Sequence, residues 1–217
     1  MKKALKLSVA ILSVSTLTGL AHAATPGSYV GLGIGASGLK TPDNHLFSPI
    51  AGKTSRKQDG LGGRVFGGYN FNQYVGLEAG YGLYAPSTYK GSQLGANAST
   101  KYKANALDLV AKGYIPLAQS GFNLYGLGGL AYVSNTVEYR NNGVPLASGV
   151  TAPKVGSTTY HKVRPMVGIG TSYDIPQTQL TTSLELSHIQ GSGNVKSSLS
   201  AIPSANMITL NLAYNFG

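Results

Sequence analysis

The stretch Met207-Ile208-Thr209-Leu210-Asn211-Leu212-Ala213-Tyr214-Asn215-Phe216 decides the fold. Its even positions, Ile208, Leu210, Leu212, Tyr214 and Phe216, are apolar, and its odd positions from Thr209 to Asn215 are small or polar. A period of two is the mark of a strand with two unlike faces. The same split separates Val75, Leu77, Ala79, Tyr81 and Leu83 from Tyr74, Gly76, Glu78, Gly80 and Gly82. It separates Leu107, Leu109, Ala111, Gly113 and Ile115 from Asp108, Val110 and Lys112, and Leu184 and Leu186 from Ser183 and Glu185. Val30, Leu32 and Ile34 stand likewise against Tyr29, Gly31, Gly33 and Gly35.

Working outward, the texture predicts eight strands, at about 29–37, 60–70, 74–84, 104–115, 122–133, 162–174, 179–188 and 207–216. Six charged residues fall well inside them: Arg64, Glu78, Asp108, Lys112, Arg164 and Glu185. All six take the face opposite the aliphatic one. That second face is otherwise Gly, Ala, Ser, Thr and Asn. A soluble sandwich would turn its aliphatic face inward and carry many charges outside. Small residues with balanced charges suit the narrow interior of an eight-stranded barrel, which side chains just fill. The aliphatic face then points outward, into lipid. A closed barrel also pairs every backbone group, as lipid requires. The expected fold is an all-β, eight-stranded antiparallel up-and-down transmembrane barrel.

Connection lengths agree. Those near 70–74, 115–122 and 175–179 are short, whereas those at 38–59, 85–103, 134–161 and 189–206 are long and polar. Strict alternation of short and long links places tight turns on one side and four extended, basic extracellular loops on the other. Tyr69, Tyr173 and Tyr214 fall at the short-turn ends of the outward face, and Tyr81 and Tyr132 toward the long-loop ends, as two aromatic girdles would.

Composition narrows the class. Charged residues make up 11% of the 217, well under the ~25% of soluble domains. Cysteine is absent, which excludes a disulfide scaffold and a thiolate metal site. The net charge of +10 is too dilute to suggest a nucleic-acid binder. Residues 1–23 read as a cleaved secretory signal: Lys2, Lys3 and Lys6, then an apolar run from Leu7 to Leu20, then Ala21-His22-Ala23. A barrel domain of residues 24–217 follows. Basic loops suit an outer leaflet rich in lipid phosphates, and equally a solvated surface kept soluble by its charge.

The run from Gly62 to Gly82, through Arg64, Tyr69-Asn70-Phe71-Asn72-Gln73-Tyr74 and Glu78, resembles strands two and three of the outer membrane protein A transmembrane domain. Ala111-Lys112-Gly113-Tyr114-Ile115-Pro116, Leu124-Tyr125-Gly126-Leu127-Gly128-Gly129 and the ending from Leu210 to Gly217 are similar to the same family. The resemblance implies a barrel in a bacterial outer membrane, in contact with its lipids, including lipopolysaccharide. It also implies assembly by an insertion machinery that reads the last strand, here Ile208, Leu210, Leu212, Tyr214 and Phe216. The family's interior carries ion pairs, and Glu78 and Lys112 stand at matching positions. Ser172 and Ser183 replace another acid and an arginine, so the pairing is expected instead among Glu78, Glu185 and Asp108 with Arg64, Lys112 and Arg164. Such a chain acts as a non-enzymatic structural and surface barrel, with host or surface ligands met through the loops.

Chemistry is sparse. Gly33-Ile34-Gly35-Ala36-Ser37-Gly38 matches a dinucleotide loop but lacks the helix that such a site needs. His45, His161 and His188 show no ligand spacing, so no metal or cofactor is expected. Some small outer-membrane barrels are lipid-modifying enzymes, but Ser187 and His188 fall on opposite faces. A small porin is the main alternative. A lipocalin-type carrier would need the reverse parity.

Overall fold

The structure is a computed structural model, and it describes residues 24–40, 53–57, 59–93, 96–117, 120–142, 155–191 and 202–216. The expected leader at 1–23 and His45 lie outside these residues. The strands are β1 (Gly27–Lys40), β2 (Lys53–Lys57), β3 (Asp59–Asn70), β4 (Val75–Leu83), β5 (Ser87–Gln93), β6 (Ala96–Pro116), β7 (Phe122–Asn142), β8 (Val155–Asp174), β9 (Leu180–Ile189) and β10 (Ser204–Asn215). Every pairing is antiparallel. Eight strands close in the order β1, β3, β4, β6, β7, β8, β9, β10 and back to β1. The short strands β2 and β5 add to the upper part of β6.

The tight turns are built by local side-chain bonds. Asn72 Oδ1 accepts the N–H groups of Tyr74 and Val75 at 2.8 and 3.0 Å, an Asx turn between β3 and β4. Between β8 and β9, Ile175 N–H donates to Leu180 O at 2.9 Å, and Gln177 sits at φ 60°.

Alternation works as the sequence indicates. On β4 the burial pattern strictly alternates, with Val75, Leu77, Tyr81 and Leu83 exposed and Glu78 fully enclosed. Leu109, Leu184 and Leu210 are about half exposed or more. An aqueous protein would not leave a whole cylinder of aliphatics uncovered.

The outward face changes character at a sharp level. Leu107 gives way to Asn105 and Lys103, Tyr132 to Ser134, and Val163 to His161. These residues face one another across the register as Leu107–Tyr132–Val163 and Asn105–Ser134–His161. The apolar stretch from Phe122 to Tyr132 on β7 fits the ~9–11 residues with which a tilted strand crosses a bilayer.

Three of the expected loops are corrected here. Much of 38–59, 85–103 and 134–161 continues as strand. β6, β7 and β8 run for 21, 21 and 20 residues. Thr, Val, Tyr and Ser in these segments keep pairing beyond the lipid, because β propensity does not end at the membrane surface. At ~3.3 Å per residue, the part of β7 beyond Tyr132 is about 30 Å of chain. A sheet of β2, β5, β6, β7 and β8 therefore stands above one half of the barrel mouth. β9, β10 and β1 end close to the apolar boundary.

Candidate functional site

The interior has two unlike levels. Arg64 on β3, Glu78 on β4, Asp108 and Lys112 on β6 and Glu185 on β9 all point inward and are almost wholly enclosed. Arg64 Nη1 donates to Glu78 Oε1 at 2.6 Å, and Arg64 Nε to Asp108 Oδ2 at 3.3 Å. Its Nη2 also pairs with Asp108 Oδ1. Lys112 Nζ lies 2.5 Å from Glu78 Oε2 and 3.5 Å from Glu185 Oε2. Arg64 approaches Glu185 at 3.8 Å. Two cations and three carboxylates thus share one cluster, and each cation bridges at least two acids.

Aromatics complete the cluster. The Tyr29 hydroxyl donates to Glu78 Oε2 at 2.9 Å and that of Tyr125 to Glu185 Oε2 at 3.0 Å. Lys112 Nζ lies 4.9 Å from the Tyr125 ring centre and 5.5 Å from that of Phe66, in range for cation–π attraction. Glycines make the room. A Cβ on Gly80 would lie 2.5–2.7 Å from the Arg64 guanidinium, and one on Gly68 would meet the Tyr29 ring. The repeated inward glycines are therefore sockets for the large side chains of neighbouring strands.

Arg164 does not join this cluster, contrary to the expected pairing. It points inward but half-exposed, and its Nε donates to Gln190 O at 2.9 Å, with Nη2 on Gly191 O. β9 stops pairing with β8 at Ile189 opposite Met166, so these carbonyls at the strand end are free to take a cation. Parity alone gives the face of a residue, not its height in a barrel whose rows are inclined.

Above the ions lies an apolar plug. Leu39, Met166, Ile189, Ile202 and Met207 are each no more than 2% exposed and belong to one contiguous cluster with Tyr84, Ala106, Val133 and Ala205. Leu39, Ala205, Ile189 and Met166 lie on one continuous row across β1, β10, β9 and β8. This level is absent from the expected interior of small residues and ion pairs. Leu39 and Ile189 fall just beyond the expected strands at 29–37 and 179–188.

On the outward face, Tyr69, Tyr81, Tyr132 and Tyr214 are exposed. Tyr173 is half-buried, its ring 4.5 Å from that of Phe122. The last-strand residues Ile208, Leu210, Leu212, Tyr214 and Phe216 also face outward. Higher up, Lys57, Lys90, Lys101, Lys103 and Arg140 lie on the outward face of the extramembrane sheet, with Glu138 among them. Glu138 pairs with Lys103, which holds its carboxyl below the usual carboxylate range. His161 stacks on Tyr132 at 5.5 Å between ring centres. His188 Nδ1 is 2.6 Å from Asn206 Oδ1 on the outward face, while Ser187 is buried on the inward one.

Similarity agrees with this architecture. The family model described as outer membrane protein beta-barrel domain matches residues 7–216. An uncharacterised protein of Coxiella burnetii is 33% identical over 179 residues, 75% of this chain and 71% of that one. Outer membrane protein A of Shigella flexneri is 29% identical over 171 residues, 79% of this chain, and the chain spans 44% of that relative's length. Among solved structures, Neisserial surface protein A superimposes with a TM-score of 0.53 at 14% identity, over 88% of this chain and 97% of that one. The attachment invasion locus protein of Yersinia pestis gives 0.51 at 14% identity, over 88% of this chain and all of that one. With its lipid-facing aliphatic cylinder, closed eight-stranded pairing and matched family model, the chain belongs to the outer membrane protein β-barrel domain family and resides in the bacterial outer membrane.

Proposed function

We propose that this protein is a non-enzymatic barrel, closed to ions, that anchors a rigid extramembrane sheet as a surface interaction module. The apolar plug carries the reading. An eight-stranded barrel leaves room only for side chains. Here the ion cluster is covered on the long-loop side by a contiguous layer of Leu, Ile, Met, Val and Tyr. An ion would have to shed water to cross that layer, at a cost of many kcal/mol. The opposite facing of Ser187 and His188 supports the absence of acyl-transfer chemistry. Of the outward cations, Lys103 stands nearest the aliphatic band, close to the anionic headgroups of an outer leaflet that includes lipopolysaccharide, where a cation is worth ~1 kcal/mol of attraction. In this reading residues 1–23 are removed on export. The strand ending in Tyr214 and Phe216 is read by the assembly machinery.

The test is single-channel recording. Purified, refolded protein in planar bilayers is expected to give no steady openings. Steady openings of uniform size overturn the reading in favour of a small porin.

A further inference from the structure

β8 spans residues 155–174, but β9 pairs only with residues 166–174. Over residues 155–164, the β8 backbone is paired on its β7 side alone among the described residues. The open side is identifiable residue by residue. Pro165 O accepts the N–H of Gln190, so the Pro165 backbone faces the β9 side. Successive strand residues direct their N–H and C=O groups to alternate sides. Val163, His161, Thr159, Ser157 and Val155 therefore aim theirs at the open edge, and Gly156, Thr158, Tyr160, Lys162 and Arg164 aim theirs at β7. Proline at 165 fits: it lacks a donor on the side where β9 pairing ends.

None of residues 155–165 is buried, and Val155 and Val163 are more than half exposed. Proteins usually blunt such an edge. This one carries Val, Ser, Thr and Tyr, good strand formers. Its charges have one sign: Lys162 and Arg164, with no acid. On the outward face of the adjoining β7, Arg140 stands across from Val155 and Glu138 across from Ser157, with Lys101 and Lys103 one strand further on.

We infer that residues 155–163 are a docking edge for an acidic, extended polypeptide that adds to the sheet as a further strand. Main-chain bonds at the five open positions supply attraction, and the surrounding cations select the charge of the guest. A second copy is a poor guest. Related by an axis along the membrane normal, it would present a β8 running in the same direction and bearing the same positive charge. The inference rests on reading the extramembrane sheet as an interaction module but not on the closed lumen, so a conducting barrel would leave it intact.

The test is hydrogen exchange on the barrel in lipid nanodiscs, with a ten-residue peptide of alternating Glu and Val as probe and a Lys and Val peptide as comparison. Without peptide, the amides of Ser157, Thr159, His161 and Val163 are expected to exchange at least tenfold faster than those of Thr158 and Tyr160. The Glu–Val peptide is expected to slow these four amides at least tenfold, and the Lys–Val peptide to leave them unchanged. Thr159→Pro, of the same parity as Pro165, is expected to weaken peptide binding at least tenfold while keeping the shifted unboiled gel band of a folded barrel. Lys162→Glu, which spares the backbone, is expected to weaken it several-fold. Slow exchange at the four positions without peptide overturns the inference, since the edge is then already covered by the chain itself. Equal binding of both peptides, or unaltered binding by Lys162→Glu, overturns it as well.

Discussion

On the short-turn side of the interior, Arg64, Glu78, Lys112 and Glu185 hold one another within 3.8 Å. On the long-loop side, Leu39, Met166, Ile189 and Met207 fill the same cylinder without a charge. Both levels are enclosed, yet they depend on packing in different ways. Each group of the ionic level is tolerable only because its partners are present, so loss is abrupt. Each side chain of the plug contributes contacts in proportion to its volume, so loss is graded.

Breaking the ionic level is expected to give the largest effect. Glu78 accepts from Tyr29, Arg64 and Lys112 at once. Glu78→Gln removes the carboxylate that both enclosed cations share; Asp108 and Glu185 remain, but Lys112 is left with Glu185 at 3.5 Å as its nearest acid, and breaking such a buried pair costs ~3–5 kcal/mol. Urea unfolding in detergent micelles, followed by the shift between unboiled and boiled gel bands, measures it. Adding Lys112→Met to Glu78→Gln is expected to recover part of the loss, because the pair then disappears together. A double variant as unstable as the sum of its singles would show that the two levels do not differ in this way.

The plug comes next. Met207→Ala removes an enclosed side chain and costs ~2–5 kcal/mol, depending on how far the site collapses. It leaves the lumen apolar and closed. Met207→Ser together with Ile189→Ser places hydroxyls in the same layer, and small, steady conductance is expected where the parent shows none. Silence from the double serine variant would locate the seal elsewhere.

Gly80→Ala addresses the fit between levels and strands. The new methyl lies within 2.5–2.7 Å of the Arg64 guanidinium, so the side chain must withdraw from Asp108 or Glu78. A loss of ~1–3 kcal/mol is expected, as for other overpacked interiors. Gly113→Ala, at a site with open space, is expected to change little and serves as the matched comparison.

The two levels differ equally in how far they could be read in advance. Period two is a local property, so Glu78, Asp108, Lys112 and Glu185 declare their face from their immediate neighbours. Which acid meets which base depends on the inclination of the rows, and Arg164 shows it. It shares a row with Asp108 through Ala131, yet bonds carbonyls at the end of β9. Tyr29 was legible as inward, but not as a donor to Glu78, because that contact joins β1 to β4 across an intervening strand. The plug was hidden for another reason. Ile189 and Leu39 lie in segments whose polar neighbours suggest loops, and only long-range pairing extends strand order to them. The extramembrane sheet is the same case at larger scale.

The smallest effect is expected outside the lipid, where the salt bridge of Lys103 with Glu138 repeats the chemistry of the lumen in water. Both side chains are substantially exposed. An exposed pair is screened and owes its partners little. Lys103 holds the Glu138 carboxyl below the ordinary value of 4.5. A depressed acid stabilises the fold above its unfolded value, and that contribution fades as pH falls through the folded one. Above pH 4.5 the link is therefore fully present, and below it the link fades, to be lost once pH has passed the lower, folded value. In an NMR titration, the Glu138 side-chain carbon is expected to change at lower pH in the parent than in Lys103→Met. The unfolding midpoint of Lys103→Met at neutral pH is expected to match the parent within error. A midpoint shift approaching that of Glu78→Gln would mean that water does not discount the outer pair, and the contrast between buried and exposed charge would fail.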